Sequence, residues 1–277
     1  GDVTVDGTLT VGTGVLTLGA NTLTVNSAVD LSSAAGTVHL DVAGSALDLG
    51  TNALTVSAGT LLHDQGTVSA GSLTVNGTGT YDATAAVAGT LTLTPGGITV
   101  GGTGVFSPGQ KTVSTVGLTQ TGGTITLTST AITSSGSVAV TAGTFTEGTS
   151  TLTMDTGGTT VRFTAPSQPH DLLITAGGAG VSISTDPLTV GNDCTVSGVF
   201  STNDQALTVL GSVIGAGTLQ GLAGGAAELI TVGGDFTAGT YTANGTKVLL
   251  NGATTPVSVS ANTFFDLEIA KSLGTDI

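Results

Sequence analysis

Residues 52–77 read NALTVSAGTLLHDQGTVSAGSLTVNG. An apolar–Thr–apolar phrase stands near each end, Leu-Thr-Val at Leu54 and again at Leu73, 19 residues later. Within each phrase Leu and Val alternate with Thr, the period of a half-buried strand. Leu and Val point one way. Thr points the other, where its β-branch suits an extended backbone.

The same phrase recurs outward from this stretch. It appears as GTLTVG at Gly7, GVLTLG at Gly14, NTLTVN at Asn21, GTLTLT at Gly89, GTITLT at Gly123, PLTVG at Pro187 and QALTVLG at Gln205. Inward pairs read as Leu152/Met154, Val161/Phe163, Leu172/Ile174, Val181/Ile183, Leu188/Val190 and Leu207/Val209. Gly, Asn, Asp, Pro and Ser fill the gaps, as tight turns require. Helical spacing is almost absent, and the glycine content opposes long helices. Two further Leu separations, 18 residues from Leu73 to Leu91 and 19 from Leu188 to Leu207, point to one coil of about 20 residues. A coil of that size cannot bury its own apolar face, and stacking at about 4.8 Å closes a continuous core. The expected fold is all-β, a β-solenoid with short strands and Gly/Asn turns. Residues 1–277 are expected to form one continuous solenoid of about 13–14 coils, a segment of a longer repeat protein.

Composition narrows the function classes. The 277 residues carry a net charge of −14, and 8% are charged against about 25% in an ordinary domain. Four basic residues, Lys111, Arg162, Lys247 and Lys271, are scattered and cannot supply the clustered charge that phosphate backbones need. Nucleic acid and anionic membrane surfaces are thereby disfavoured. No apolar run approaches the roughly 20 residues of a membrane helix, and GDVTVDGTLTV at the start lacks the basic and apolar regions of a signal peptide. Cys194 is the single cysteine, so no internal disulfide exists, and it reads as a small core residue.

A longer repeat lies over this short one. TAGTFTEGTSTLTMD at residues 141–155 is answered by TAGTYTANGTKVLLN at residues 237–251. Val161/Phe163 match Val257/Val259, and Leu172/Ile174 match Leu267/Ile269. The module 141–174 is thus duplicated as 237–269, with core positions keeping their size while turns drift. Leu152, Val161 and Leu172, and their counterparts Val248, Val257 and Leu267, are expected to be almost fully buried. Residues 264–277 retrace residues 169–183, so the sequence stops within a module and begins directly in strand-like text. The terminal coils are therefore expected to continue head to tail into further copies or adjoining repeats.

Residues 229–272, LITVGGDFTAGTYTANGTKVLLNGATTPVSVSANTFFDLEIAKS, resemble the unit of the large bacterial β-strand-repeat surface proteins, which are related to autotransporter passengers and filamentous-haemagglutinin-like adhesins. The shared pattern is a glycine-flanked strand, an Ala-Gly-Thr turn, an apolar strand ending in Asn-Gly, a short Val-x-Val strand and Phe-x-x-Leu-x-Ile. It covers residues 141–174 and 229–272 well and the first half only in style. The resemblance implies a right-handed parallel β-helix, export to the cell surface, and a structural or adhesive role. It brings no catalytic residues.

No constellation of residues announces chemistry. His39, His63 and His170 lack metal-ligand spacing, and each is expected to be a solvated turn residue. No Gly-x-Ser-x-Gly elbow occurs. Acids such as Asp30, Asp41, Asp48, Asp64 and Asp82 stand singly, whereas glycoside chemistry needs paired carboxylates. There is no Trp, and only Tyr81 and Tyr241 could stack on sugars. The calcium nonapeptide of β-rolls survives only as fragments, GGDF at Gly233 and GNDC at Gly191. Asn-Gly-Thr at Asn76 and Asn244 fits a glycosylation sequon, but the turn alone accounts for it. Asparagines in GANTLTV at Gly19, GTNALTV at Gly50 and STNDQALTV at Ser201 suit turns singly and a partial amide ladder as a set. Thr-x-Thr triplets suggest an ice-binding face, yet their sequence spacing is irregular.

The function expected is a structural segment of an extracellular filament, stalk or adhesin, not an enzyme. No catalytic, cofactor-binding or metal residue is nominated, and no cofactor is expected. A surface-binding module for glycan or ice on a Thr-rich face is the alternative, and a carbohydrate-active β-helix enzyme the third.

Overall fold

A computed structural model describes residues 1–85, 88–221, 229–252 and 257–270. Part of the second repeat copy, 253–256, and the terminal 271–277 with Lys271 lie outside the described residues. Every regular element among the described residues is a strand, and the registered pairs are parallel, so the fold is a β-solenoid. Two compact units divide the chain, Gly1–Ser150 and Thr151–Ile277.

In the first unit the coils build three strand ladders, one on each of three faces, and the long strand Leu118–Leu127 runs over two of them. Ala53–Val56 lies on face I, Thr60–His63 on face II and Gly66–Ala70 on face III. One coil later Ser72–Val75 pairs with the first, Thr80–Asp82 with the second and Gly89–Leu93 with the third. Pairing with every third strand is what a short-stranded chain must do when no single coil can close a core. Inward residues then stack on their counterparts. On face II the file Val38, Leu61, Tyr81, Phe106 and Ile125 is buried throughout. Each such side chain contributes about 1.5–3 kcal/mol through burial.

Coil length varies more than the sequence spacing suggests. Leu54 pairs with Leu73 after 19 residues, but Leu73 pairs with Ile98 after 25. The separation of Leu73 and Leu91 is not a coil step. Leu91 lies on face III, between Val68 and Val113. Turns absorb the extra residues while the strand register holds, because only the inward set must stay in phase.

Close coil contacts explain particular glycines. At the start of Gly66–Ala70, Gly66 has φ +81°. A side chain there would drive into the Ser45 carbonyl. Gly89 stacks on Gly66 in register, and its open side accommodates the Lys111 stem, whose Cδ would stand 3.0 Å from an added Cβ. Of the two Asn-Gly-Thr sites, Gly77 has φ +53°, while Asn244 and Gly245 have φ +42° and +94°. Only the second has both residues in the left-handed region, as the tight Asn-Gly turn requires.

The second unit repeats the three-ladder scheme. One ladder runs Thr151–Met154, Asp171–Ile174, Cys194–Val196 and on to Val213–Gln220. A second contains Thr159–Phe163, Val181–Ile183 and Val199–Ser201. A third runs Leu188–Val190, Leu207–Val209, Leu229–Val232, Lys247–Leu250 and Asp266–Ile269. All six inward pairs read from the sequence are buried, as is Cys194.

The duplicated strands keep their pairing but change face. Leu152 stacks on Leu172 in the first ladder, and their counterparts Val248 and Leu267 stack in the third. The sequence repeat thus specifies a strand pair one coil apart, and the number of intervening strands decides which face it joins. Burial does not follow the repeat to its end. Leu152, Val161, Leu172 and Val248 are buried, but Val257 is only half-buried and Leu267 is 37% exposed. Among the described residues Asp266–Ile269 pairs with Lys247–Leu250 alone, so its other side has no stacked strand.

Candidate functional site

Three arrangements of polar side chains stand out: a buried cluster, a hydroxyl face and a corner ladder. The first lies inside the first unit. His63 ends strand Thr60–His63 at the same inward parity as Leu61, so it is fully buried rather than a solvated turn residue. Its Nε2 lies 3.2 Å from the Gly66 carbonyl and its Nδ1 2.6 Å from the Tyr81 hydroxyl. A carbonyl only accepts, so Nε2 carries the hydrogen and Nδ1 receives the one donated by Tyr81. Desolvation on burial dominates the other influences and lowers the His63 pKa from 6.5 to about 4. The same cause pushes the Tyr81 hydroxyl up, so it stays protonated. Tyr81 packs edge-on to His63 and tilted against Phe106, with ring centroids 6.0 and 5.0 Å apart.

Lys111 completes this cluster. It directly precedes Thr112–Thr115 at the inward parity of Val113, is buried, and donates from Nζ to the Asp64 carbonyl at 2.9 Å. Burial lowers its pKa, opposed by the charge of Asp64. The Asp64 side chain points outward and meets His39 Nε2 at 2.8 Å. The adjacent His63 and Asp64 therefore face opposite sides, as a strand dictates. His39 is half-buried in Thr37–Leu40, and His170 Nδ1 lies 3.2 Å from Asp171 Oδ2. Neither is a freely solvated turn residue. Strand parity could have placed His63 inward, but a lysine ahead of Thr112 carries no such signal.

The second arrangement covers the outside of face III. Thr67, Thr90 and Thr112 stack in register, and beside them Ser69, Thr92 and Ser114 do the same. Within each strand the two files are about 6.6 Å apart, and successive coils about 4.8 Å. The six hydroxyls make no hydrogen bond to another described protein group, whereas Thr128, Thr130 and Thr141 bond to neighbouring carbonyls. Asp48 flanks the Ser69 file and Thr133 continues it. Of the Thr-x-Thr triplets, Thr90/Thr92 joins Thr67/Ser69 and Thr112/Ser114 in this grid, whereas Thr124/Thr126 lies on the ladder of face II.

The third arrangement runs along one corner of the second unit. Asp171 Oδ1 accepts the backbone N–H of Asp193 at 3.1 Å and the Asn192 amide at 2.8 Å. Asp193 Oδ1 accepts the N–H of Ser212 at 2.7 Å, Ser212 Oγ that of Asp235 at 3.0 Å, and Asp235 Oδ1 that of Ser258 at 2.7 Å. Asp193 and Asp235 are the acids of the two calcium-motif fragments, and here these carboxylates bind main-chain donors. Burial raises the Asp171 pKa, but the bonds from Asn192 and Asp193 with the His170 ring outweigh it and leave the carboxyl below its ordinary range. Asparagines form no amide ladder among the described residues. Asn21 and Asn52 each donate to a carbonyl three residues back, at Leu18 and Leu49.

Among the described residues no three His, Cys, Asp or Glu side chains gather as metal ligands, and no helix is long and apolar enough to cross a membrane. Comparison with family models, curated proteins and solved structures finds no match.

Proposed function

We propose that the chain is a structural segment of an extracellular filament, stalk or adhesin. The observation that carries this reading is the stacking itself. In each unit the coils are tied by parallel backbone ladders, and in the second unit by a further side-chain ladder at the corner. Polar side chains that would serve chemistry elsewhere are spent on neighbouring coils. Continuation head to tail, into copies of the chain or adjoining repeats, is supported by exposed apolar residues on the terminal strands. Val3 and Ile269 are exposed, and Val3–Val5 pairs only with Thr22–Val25 among the described residues. The few basic residues and the acidic balance favour separation of such segments from one another. Immunogold labelling of intact producing cells tests the reading. Label is expected on external fibres or stalks, and label confined to the cell interior would overturn it.

The hydroxyl face of the first unit favours a second reading, a surface-binding module. A lattice of unpartnered hydroxyls and methyls fits a ligand that repeats in the same directions, ice or an extended glycan. The face carries no aromatic platform in these two files, which weighs towards ice over sugar.

A further inference from the structure

We propose that His63 and Tyr81 form an acid-sensitive latch in the core of the first unit, which loosens the coil between Thr60–His63 and Thr80–Asp82 when the imidazole takes up a proton. The latch has two bonds, which together fix one tautomer of the neutral ring, and protonation removes the one accepted at Nδ1. Nε2–H donates to the Gly66 carbonyl, and the Nδ1 lone pair receives the Tyr81 hydroxyl. A proton from water at Nδ1 places two hydrogens across the 2.6 Å gap to the phenol oxygen. The phenol must then turn its hydrogen away from the imidazole, its one hydrogen-bond partner among the described residues. Tyr81 is itself fully buried, so water cannot take that hydrogen without opening the coil.

The surroundings offset the new charge only in part, since burial outweighs the Gly66 carbonyl and the Asp64 charge. From the turn before Thr112–Thr115, buried Lys111 brings a like charge. From Thr37–Leu40 the residue stacked on His63 is apolar Leu40, with His39 on the outward side. Asp64 is the next residue along the chain, but its carboxylate is turned outward to His39. Asp82 is outward too and holds Thr84. From Gly66–Ala70 only the Gly66 carbonyl reaches the ring. The imidazole therefore charges more easily in an open coil than in a closed one.

The sign follows from the two protonation states. Between pH 6.5 and about 4 the open coil binds a proton that the closed coil refuses, so acid favours opening. On going from pH 7 to pH 4 the ratio of open to closed rises on the order of 100-fold. Hydrogen exchange on the full chain, corrected for the intrinsic pH dependence of exchange, reads it. Peptides spanning 60–63 and 80–82 are expected to open by this factor on going from pH 7 to 4. His63→Leu should abolish the dependence, and His39→Asn should retain it. In the unsubstituted protein, NMR of labelled histidines should show one ring of three staying neutral down to about pH 4, which holds even if the His63 variant fails to fold. Three rings titrating near 6.5, or an acid opening that survives in folded His63→Leu protein, would overturn the latch.

Discussion

Asp193 Oδ1 accepts the backbone N–H of Ser212 at 2.7 Å, while the Cys194 N–H donates to the Ser212 carbonyl at 2.9 Å. The two bonds clamp the corner where two successive strands begin, and the side chain supplies the one acceptor that the turn lacks. The arrangement repeats with Asp171 and Asp193 below it, and Asp235 and Ser258 above. A carboxylate bond to a main-chain donor contributes about 1.5–3 kcal/mol, less where water competes. Asp193→Ala should therefore destabilise the second unit by about 1–2 kcal/mol, read as a lower urea midpoint. Asp193→Asn keeps an acceptor and should lose less. Equal losses in the two variants would show that charge, and not the bond, matters.

Asp171 makes the same clamp pH-dependent. Burial opposes its ionisation, but the donors around it win and hold its carboxyl below the ordinary 3.8. The unfolded chain then takes up a proton at a pH where the folded one does not. The stabilisation is fully present above pH 3.8 and fades as pH falls through the lower folded value. Acid titration of unfolding should show this loss below pH 4, and Asp171→Asn should flatten it. A variant whose acid limb matches the unsubstituted protein would refute the assignment.

The corner ladder was written in the sequence but not legible as spacing. Asp171, Asp193, Ser212, Asp235 and Ser258 each precede an apolar residue, yet they stand 22, 19, 23 and 23 residues apart. A search for a fixed period passes over them. Strand identity and the inward set at Leu172/Ile174 or Leu188/Val190 were legible because alternation is local and needs no coil length. Which strand stacks on which was not, since turns vary freely, and for this reason Leu73 and Leu91 resemble a coil step without being one. The hydroxyl grid was hidden in the same way. Burial of His63 is legible from parity, since it stands two residues beyond inward Leu61, although its neighbours Asp64 and Gln65 have the composition of a turn. Lys111 gave no signal, because its burial depends on the gap left by Gly89 one coil below.

Depth within the stack separates equivalent core substitutions. Leu172 is buried between Leu152 and Cys194, whereas among the described residues its repeat counterpart Leu267 has a paired strand on one side only. Leu172→Asp buries an unpaired charge and should cost several kcal/mol, on the order of 3–5. Leu267→Asp should cost about 1 kcal/mol or less. Thermal unfolding of the two variants decides. A large loss for Leu267→Asp would mean that another strand covers it in solution, as head-to-tail continuation requires.

Gly66 joins two constraints in one residue. Its φ of +81° disfavours any side chain, and a Cβ there would meet the Ser45 carbonyl. Its own carbonyl holds His63. Gly66→Ala should cost about 1–3 kcal/mol from strain, and displacing its carbonyl removes a bond that raises the His63 pKa against burial, so that ring should titrate still lower. Destabilisation with no change in that titration would separate the turn from the imidazole.

The hydroxyl face yields the sharpest test between a passive wall and a binding surface. Thr90 and Thr92 lie at its centre, exposed, with registered neighbours Thr67 and Ser69 on one side and Thr112 and Ser114 on the other. Outward side chains on a strand make no core contact, so replacing them should leave stability within about 0.5 kcal/mol. Thr90→Lys with Thr92→Lys puts two long charged side chains through the grid without touching the fold. If the face binds a repeating ligand, unsubstituted protein will slow ice recrystallisation or be retained on an extended-glycan array, and the double variant will lose that activity with unchanged circular dichroism. Slowed recrystallisation without glycan retention would assign ice, and the reverse would assign sugar. If unsubstituted protein does neither, the hydroxyls are a solvated wall. Their regularity then records only the strand register, and the proposed filament role needs no binding face.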